Sequence, residues 1–323
     1  MTSDFLLLFD IANSKWQTLP REQFLIALQI LQGDFRTCLV EIRPARNERS
    51  GLMVLLVAGQ VVNLYRMGDR ARRLKHSDLF TALPGGGTSF RLRVLALTPN
   101  TARLVKILLE QSGSDTSAVI QSGQLQPVVN QAMQSSLPVL VHFSWTNAQG
   151  FTLLPGGGLP EHHTLFIASR QVLHSEGSLD ALYQWQDSAC QVRMVRSDES
   201  TLAWREYFLH YAFDWLVKYL FVRLETLAGR MLLSEILRDL NFTTSANSWN
   251  INVSFSDVSD QAVFSSPQQA GQVYQRLLGI LIRHAVPVIG DQMTDMLVRE
   301  ALNSLHAPYR ISYEQIRVYA LAD

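Results

Sequence analysis

Apolar and polar positions follow the same order twice along the chain. Each stretch opens with a segment whose apolar residues recur at helical spacing, Arg21–Gln32 in the first and Gln124–Ser135 in the second. Strand-like runs follow each helix, and the predicted counterparts are Phe35–Pro44 with Pro138–Trp145 and Leu52–Ala58 with Thr164–Ala168. A period of roughly 100 residues is too long for a solenoid repeat, so it predicts a duplicated domain of ordinary size.

The predicted repeat continues through a tight turn and a final strand. Gly59 divides two β-branched runs in the first stretch, and Ser169–Arg170 takes the matching place in the second. The final strands, Phe90–Val94 and Cys190–Met194, alternate basic or polar residues with apolar ones. In this alignment Thr146–His163 is an insertion in the second copy.

The C-terminal part of the sequence changes character. The long predicted helix Leu202–Leu227 carries aromatic residues on more than one face, so much of it must be buried, between modules or at a dimer interface. Helical periodicity prevails thereafter, with one alternating strand at Asn250–Asp257. The sequence therefore predicts an α+β protein with two tandem sheet-plus-helix modules, residues 1–112 and 113–228, and a mainly helical C-terminal domain, residues 229–323.

Composition narrows the classes of function. Apolar residues make up 47% of the chain and charged residues 17%, against about 25% in typical globular domains. The low charge favours extensive burial and a surface that a partner partly covers. Formal net charge is zero, whereas nucleic-acid binding normally needs a basic excess that neutralises phosphates. We therefore expect no nucleic-acid partner.

The cysteines and the N-terminal apolar run indicate the cellular compartment in which the protein is expected to reside. Cys38 and Cys190 are isolated, lie in predicted strands and fit no metal or redox spacing, so both are expected to be buried in a protein of a reducing compartment. The apolar run Phe5–Phe9 is too short to span a membrane, and its acidic flanks are wrong for a signal peptide. The prediction is a cytoplasmic protein without membrane insertion.

Two features suggest a ligand but have simpler explanations. The strings Leu83–Gly87 and Leu154–Gly158 both read Leu-Pro-Gly-Gly-Gly, and neither leads into the helix that a phosphate cradle needs, so we interpret them as flexible loops. A basic cluster fits a solvated helix face, with phosphate binding as the alternative; it comprises Arg66, Arg70, Arg72, Arg73 and Lys75.

Catalytic and metal-binding patterns are missing from the sequence. Four histidines could suggest a metal site but lack the spacing of convergent zinc ligands; they are His142, His162, His163 and His174. Carboxylates are scattered over different predicted elements, and no Ser/His/Asp arrangement appears. We therefore expect no enzyme activity, no metal and no cofactor.

One segment of the second module carries a family resemblance. Glu176–Trp185 reads Glu-Gly-Ser-Leu-Asp-Ala-Leu-Tyr-Gln-Trp and predicts an amphipathic helix, with Gly177 ending the preceding element and Ser178 as the helix cap. Together with the strand-turn-strand Phe166–His174, this order resembles the PATAN domain, an α+β module of bacterial regulators. In the first module Val54–Tyr65 keeps the glycine turn, but Asp78-Leu79-Phe80 replaces the Ala-Leu core of that helix.

The resemblance implies protein interaction in bacterial signalling and brings no catalytic residues. We therefore expect a scaffold that binds a protein partner through its duplicated modules, with the aromatic helix or the C-terminal domain able to form a homodimer. The predicted partner-binding residues are aromatic residues of that helix: Trp204, Tyr207, Phe208, Tyr211, Trp215 and Tyr219. The alternative is a small-molecule or nucleotide sensor that uses the glycine strings and the basic cluster. A hydrolase or metalloenzyme comes third.

Overall fold

The chain folds into two compact units, residues 1–198 and 199–323, in the computed structural model. The structure describes residues 8–45, 51–67, 71–75, 89–111, 116–121, 124–156, 162–174, 176–185 and 189–315. The first unit holds two six-stranded antiparallel sheets, and the second is mainly helical with a two-stranded hairpin. The predicted α+β class is confirmed.

The first sheet has the spatial strand order β1–β6–β2–β3–β4–β5. Its strands are β1 (Gln17–Pro20), β2 (Cys38–Pro44), β3 (Gly51–Val57), β4 (Gln60–Met67), β5 (Arg72–Leu74) and β6 (Ser89–Ala96). Helix α1 (Arg21–Gly33) connects β1 to β2, and helix α2 (Pro99–Glu110) follows β6.

The second sheet has the order β7–β12–β8–β9–β10–β11. Its strands are β7 (Thr116–Gln121), β8 (Val139–Ser144), β9 (Ala148–Leu154), β10 (His163–Ala168), β11 (Gln171–His174) and β12 (Ala189–Arg196). Helix α3 (Leu125–Met133) connects β7 to β8, and helix α4 (Glu176–Tyr183) lies between β11 and β12. Strand for strand, this sheet repeats the first one, so the predicted duplication is confirmed.

The predicted pairing of strands between the two copies is wrong in one respect. The segment Thr146–His163, predicted to be an insertion, contains β9, which is the counterpart of β3. Thr164–Ala168 therefore corresponds to β4 rather than to β3. The predicted match of Ser169–Arg170 with Gly59 is wrong for the same reason, because Ser169–Arg170 lies between β10 and β11, whereas Gly59 lies between β3 and β4. The strand escaped prediction because Gly150 interrupts its apolar pattern. A Cβ at that glycine would lie 2.4 Å from Leu182 Cδ1, so the glycine leaves room for the close approach of α4.

Each sheet buries one face under the helix that precedes its second strand. In the first module Phe24 and Leu28 of α1 pack into an apolar cluster with β2, β3, β4 and β6. In the second module Leu125 and Val129 of α3 take the same place, spaced by the same four residues. This spacing puts both side chains of each pair on one side of their helix.

Helix α4 completes the core of the second module. Leu182 is fully buried in that cluster, and Trp185, just after the helix, contacts the ring of Phe166 edge-on at 5.7 Å between centroids. The predicted cap is wrong, because the helix begins at Glu176 and so contains Gly177 and Ser178. The buried Ser178 hydroxyl instead donates a hydrogen bond to the carbonyl oxygen of Thr164 at 3.1 Å.

The opposite face of the first sheet carries a buried ionic cluster. Glu41 of β2 accepts one hydrogen bond on each carboxylate oxygen, from Arg43 Nε and from Arg93 Nε, both at 2.6 Å. Arg93 also donates to the carboxylate of Asp10, which lies in a helical turn at residues 8–11. The indole of Trp16 covers the Arg93 guanidinium at 4.5 Å. The segment from Asp10 to Trp16 thus covers this part of the sheet and is held there by an ion pair and a cation–π contact.

Helix α2 joins the two sheets of the first unit. All residues from Thr101 to Leu109 are buried. At its C-terminal end the Tyr65 hydroxyl of the first sheet donates to Glu110 Oε1 at 2.9 Å. At its N-terminal end Thr101 Oγ1 lies 3.2 Å from His174 Nδ1 of the second sheet. Burial lowers the pKa of His174, which favours its neutral form at this contact.

The second unit is built around one long bent helix, α5 (Leu202–Ala246), which leaves helical geometry at Gly229. Its other elements are β13 (Ile251–Val253), β14 (Val258–Asp260), α6 (Pro267–Ile289), α7 (Asp291–Ser304) and α8 (Ala307–Gln315). The domain boundary predicted at residue 228 falls inside α5, and the whole helix lies in the second unit. Pro287 lies within α6, two residues before its end.

Two buried carboxylates fasten the hairpin segment to the helices of the second unit. Asp260 accepts hydrogen bonds from the Tyr274 hydroxyl at 2.6 Å and from the backbone N–H of Ala262 at 2.9 Å, and its Oδ2 lies 2.7 Å from His210 Nδ1. Glu206 accepts a hydrogen bond from the backbone N–H of Phe264 at 2.7 Å. These contacts satisfy buried polar groups, which would lower the stability of the fold if they lacked hydrogen-bond partners.

Among the described residues, none of the helices combines the length and the hydrophobicity that a membrane-spanning segment needs.

The ionic cluster of the first sheet leads to a stability prediction. We expect Glu41→Ala to lower the free energy of unfolding by about 3 kcal/mol or more, because it leaves the buried Arg93 without its buried counter-charge. Asp10→Asn is the control; its carboxyl group is 61% exposed, so the loss should stay below about 1 kcal/mol. Urea unfolding followed by tryptophan fluorescence measures both. A Glu41→Ala loss no larger than that of the control contradicts the cluster's structural role.

Candidate functional site

The aromatic residues predicted to bind a partner are mostly interior. Trp204, Tyr207, Phe208 and Tyr211 are buried in the folded chain. The remaining pair are partly exposed and already bonded to α7: Trp215 Nε1 donates to Ser304 Oγ at 3.1 Å, and the Tyr219 hydroxyl donates to Glu300 at 3.4 Å. This corrects the prediction for the four buried residues, since an aromatic helix covered by its neighbours supplies core rather than surface.

One of the two glycine strings has a packing role. Leu83–Gly87 lies outside the described residues, whereas Gly156 of the second string follows β9 with a φ of 78°. A Cβ at Gly156 would meet the backbone of Leu137, just after the α3 region. Gly59 does the same in the first module, with a φ of 78° and the backbone of Gln32 against it. Each module thus needs a glycine just after its third strand, where the chain touches the end of the module's first helix or the residues just past that helix.

The other ligand candidates are dispersed or engaged in packing. Within the described residues, no three His, Cys, Asp or Glu side chains converge on a metal site. Two residues of the basic cluster, Arg72 and Arg73, lie on strand β5, so the prediction that the cluster forms a helix face is wrong for them. Arg73 of this strand forms an ion pair with Glu110 of α2 at 3.4 Å. Arg70 lies outside the described residues.

A second cationic cluster, not predicted from the sequence, surrounds Trp16. The ring of Trp16 lies within 5.4 Å of three guanidinium groups, those of Arg43, Arg91 and Arg93. Arg43 of β2 lies directly opposite Arg91 of β6, and Arg93 lies two residues further along β6, so all three project from the same face of the sheet. The alternation of Arg91 and Arg93 in the sequence is the signal that could have indicated it. Glu41 and Asp10 balance most of its charge, so the cluster serves the fold.

The outer side of helix α1 presents apolar side chains to solvent. Ile26 and Ile30 lie one turn apart and are 54% and 55% exposed. Phe35, just past the helix end, is 77% exposed. The α1 face, defined by these three residues, has a polar border in which Asp34 and Arg36 form a half-exposed ion pair at 3.3 Å. Exposed apolar residues with a polar border are typical of protein-binding surfaces.

Phe35 occupies a backbone position that normally belongs to glycine. Helix α1 ends in a Schellman motif, in which Phe35 N–H donates to the Gln32 carbonyl oxygen at 3.1 Å and Arg36 N–H donates to the Leu31 carbonyl oxygen at 3.3 Å. Phe35 has the left-handed φ of 52° that this motif requires. A side chain in this conformation is strained, and here it is also mostly exposed.

The turn between β3 and β4 fixes this geometry. Gly59 N–H donates to the Arg36 carbonyl oxygen at 3.0 Å, and Ala58 N–H donates to Thr37 Oγ1 at 3.0 Å. The chain on the C-terminal side of Phe35 is therefore anchored to the sheet, while the helix anchors its other side. Because the backbone is fixed on both sides of Phe35, its ring stays on the exposed side of the turn.

The second module supplies an internal comparison. Its helix α3 buries Leu125 and Val129 as α1 buries Phe24 and Leu28. With these pairs aligned, the outward positions of Ile30 and Phe35 correspond to the exposed polar residues Gln131 and Ser136. Ile26 corresponds to the exposed Pro127, so the comparison concerns the other two positions. There the fold of the module does not require apolar side chains, and Ile30 and Phe35 are specific to the first module.

Both cysteines are buried in their sheets, as predicted. Burial raises the pKa of Cys38 to about 11 and that of Cys190 to about 12. Because the thiolate is the reactive form, neither side chain is suited to nucleophilic or redox chemistry near neutral pH.

Comparison with known proteins identifies no family. No protein-family model and no curated protein matches the chain. Among solved structures it is similar to a DnaN sliding clamp (DNA polymerase III subunit beta) from Pseudomonas aeruginosa bound to griselimycin, with 12% identity over 58% of this chain and 66% of the clamp chain. The TM-score is 0.16, which is too low for any argument about fold or function.

The strain at Phe35 can be measured. We expect Phe35→Gly to raise the free energy of unfolding by roughly 1 kcal/mol, because glycine adopts a positive φ without steric penalty. Phe35→Ala keeps the strained backbone and removes only a largely exposed ring, so it should change stability much less. Thermal and urea unfolding compare the two variants. A Phe35→Gly variant less stable than Phe35→Ala would show that the ring contributes to the fold.

The cysteines give a second prediction. In the native protein at pH 8, Ellman's reagent should modify Cys38 and Cys190 far more slowly than a free thiol, because both are buried and protonated. In urea both should react at once. Rapid modification of the native chain, with its circular dichroism unchanged, is the result that contradicts this placement.

Proposed function

We propose that this chain is a non-enzymatic adaptor that binds a protein partner through the α1 face. The observation that carries the proposal is Phe35: a strained and exposed aromatic side chain at a position where glycine is the usual residue. Residues kept in a strained conformation with no gain in packing are found at functional sites. An exposed phenylalanine beside two exposed isoleucines suits contact with an apolar surface of another protein.

The difference between the modules supports the same proposal. Both copies keep the core residues of the helix, but at the outward positions of Ile30 and Phe35 only the first has apolar residues. An apolar residue in contact with solvent adds nothing to the stability of its own module, whereas burial against a partner contributes about 25 cal/mol per Å² of apolar surface. The first module is therefore the proposed binding module, and the second supports it structurally.

The signalling context of the proposal comes from the PATAN-like order of the second module, which is typical of bacterial regulators. A small-molecule sensor is not favoured, because the described parts of the features on which it would depend are used in packing. Gly156 lies against the Leu137 backbone, and Arg73 pairs with Glu110.

Quantitative co-purification from the native host tests the proposal. The variant Ile26→Gln/Ile30→Gln makes the outer side of α1 polar without touching its buried residues. We expect unchanged thermal stability and a fall of about tenfold or more in recovery of the specific partner, because two buried apolar contacts are lost.

The matched control is Met231→Gln/Phe242→Gln, which removes two exposed apolar side chains from the second unit. It should leave recovery of the partner unchanged. Equal recovery with both double variants and the wild-type chain would exclude the α1 face as the contact.

A further inference from the structure

The two large sheets present their edges very differently. Edge strand β1 ends in Pro20, and β5 has only three residues, two of which are arginines. Edge strand β11 has four residues, and its last one, His174, contacts Thr101 of α2. Proline, charge, shortness and coverage are the usual means by which proteins prevent strand addition at a sheet edge. Three of the described edges use them.

The fourth edge, β7, uses none of them. It is the longest of the four edge strands, with six residues that read Thr-Ser-Ala-Val-Ile-Gln, without charge, proline or glycine. It pairs with β12 along its full length, and within the described residues no strand pairs with its other side. Val119, near its centre, is 74% exposed. Such an edge is suited to pair with another strand.

We propose that β7 pairs antiparallel with β7 of a second copy of this chain, so that the second sheets of two copies form one continuous sheet. A two-fold axis perpendicular to the sheet keeps corresponding faces together, which requires residues of the same parity to stand opposite each other. With the axis at Val119, each Val119 lies opposite its copy. Ser117 lies opposite Gln121, and Ala118 opposite Ile120.

The chemistry of the strand favours a second copy as its occupant. A charged edge strand would repel its own copy across a two-fold axis, whereas β7 carries no charge and the chain as a whole has zero formal net charge. The axis also brings two exposed valines together, and β-branched cross-strand pairs stabilise a sheet. This interface is separate from the α1 face, so it holds or fails independently of the proposed function.

Cysteine cross-linking tests the register. In Val119→Cys the two new thiols stand directly opposite, with Cα atoms about 5 Å apart, which suits a disulfide. In Ser117→Cys the equivalent atoms are four residues apart along the strands, about 14 Å, and cannot be bridged. Both native cysteines are buried, so the introduced thiol is the accessible one among the described residues. We expect a covalent dimer from Val119→Cys under mild oxidation and none from Ser117→Cys.

Sedimentation velocity of the full chain tests the association itself. The wild type should dimerise with increasing concentration, and Val119→Lys should raise the dissociation constant about tenfold or more, because two like charges then stand opposite each other. Val222→Lys, at an exposed valine of α5, is the control and should dimerise as the wild type does.

Three results would overturn the inference. They are a wild-type chain that stays monomeric, as expected if β7 instead pairs with an extended peptide of another protein; a dimer that Val119→Lys leaves intact; and cross-linking of both cysteine variants to the same extent. Circular dichroism confirms that each variant is folded.

Discussion

The contact between the β3–β4 turn and the end of α1 is the constraint on which the first module depends. Gly59 allows the turn to touch the backbone of Gln32, where any larger residue would overlap a carbonyl oxygen. The same contact holds the chain at Arg36 and Thr37 through hydrogen bonds. Phe35 lies between the helix and this anchored segment, so its left-handed backbone and its outward ring follow from the packing of backbone on backbone. The second module repeats the contact with Gly156 and omits the aromatic residue.

The same constraint explains what duplication preserved. Strand order, the buried helix pair and the glycine after the third strand recur in both modules, because each is needed to bring helix and sheet together. Side chains that only meet solvent were free to diverge. The polar residues Gln131 and Ser136 and their apolar counterparts Ile30 and Phe35 are the result, and function is inferred from that difference rather than from the shared fold.

Much of the fold could be predicted from the sequence, because helical and alternating periodicities record burial. The predicted helix Arg21–Gln32 differs from α1 by a single residue, and the predicted strand Pro138–Trp145 contains β8. Strand β9 could not be found this way, because Gly150 makes room for Leu182, a packing need that periodicity does not express. For the aromatic helix, the composition correctly indicated burial. It did not indicate that the helix is covered by other elements of its own unit rather than by a partner.

The candidate site was harder to predict for a related reason. Helix α1 has apolar residues on several sides, and a sequence does not state which of them a sheet will cover. The positive φ of Phe35 gave no signal, since glycine is the residue that usually marks such a position. The alignment of the two modules through their buried helix residues is what distinguishes the exposed Ile30 from the buried core residue Leu28.

Site-specific photo-cross-linking in the native host shows directly whether the α1 face contacts a partner protein. A benzophenone side chain placed at Ile30 lies on the outer side of α1, and one placed at Gln131 lies at the corresponding exposed position of α3. We expect a discrete cross-linked partner from position 30 and none from position 131. The same product from both positions, or a product from position 131 alone, would contradict it.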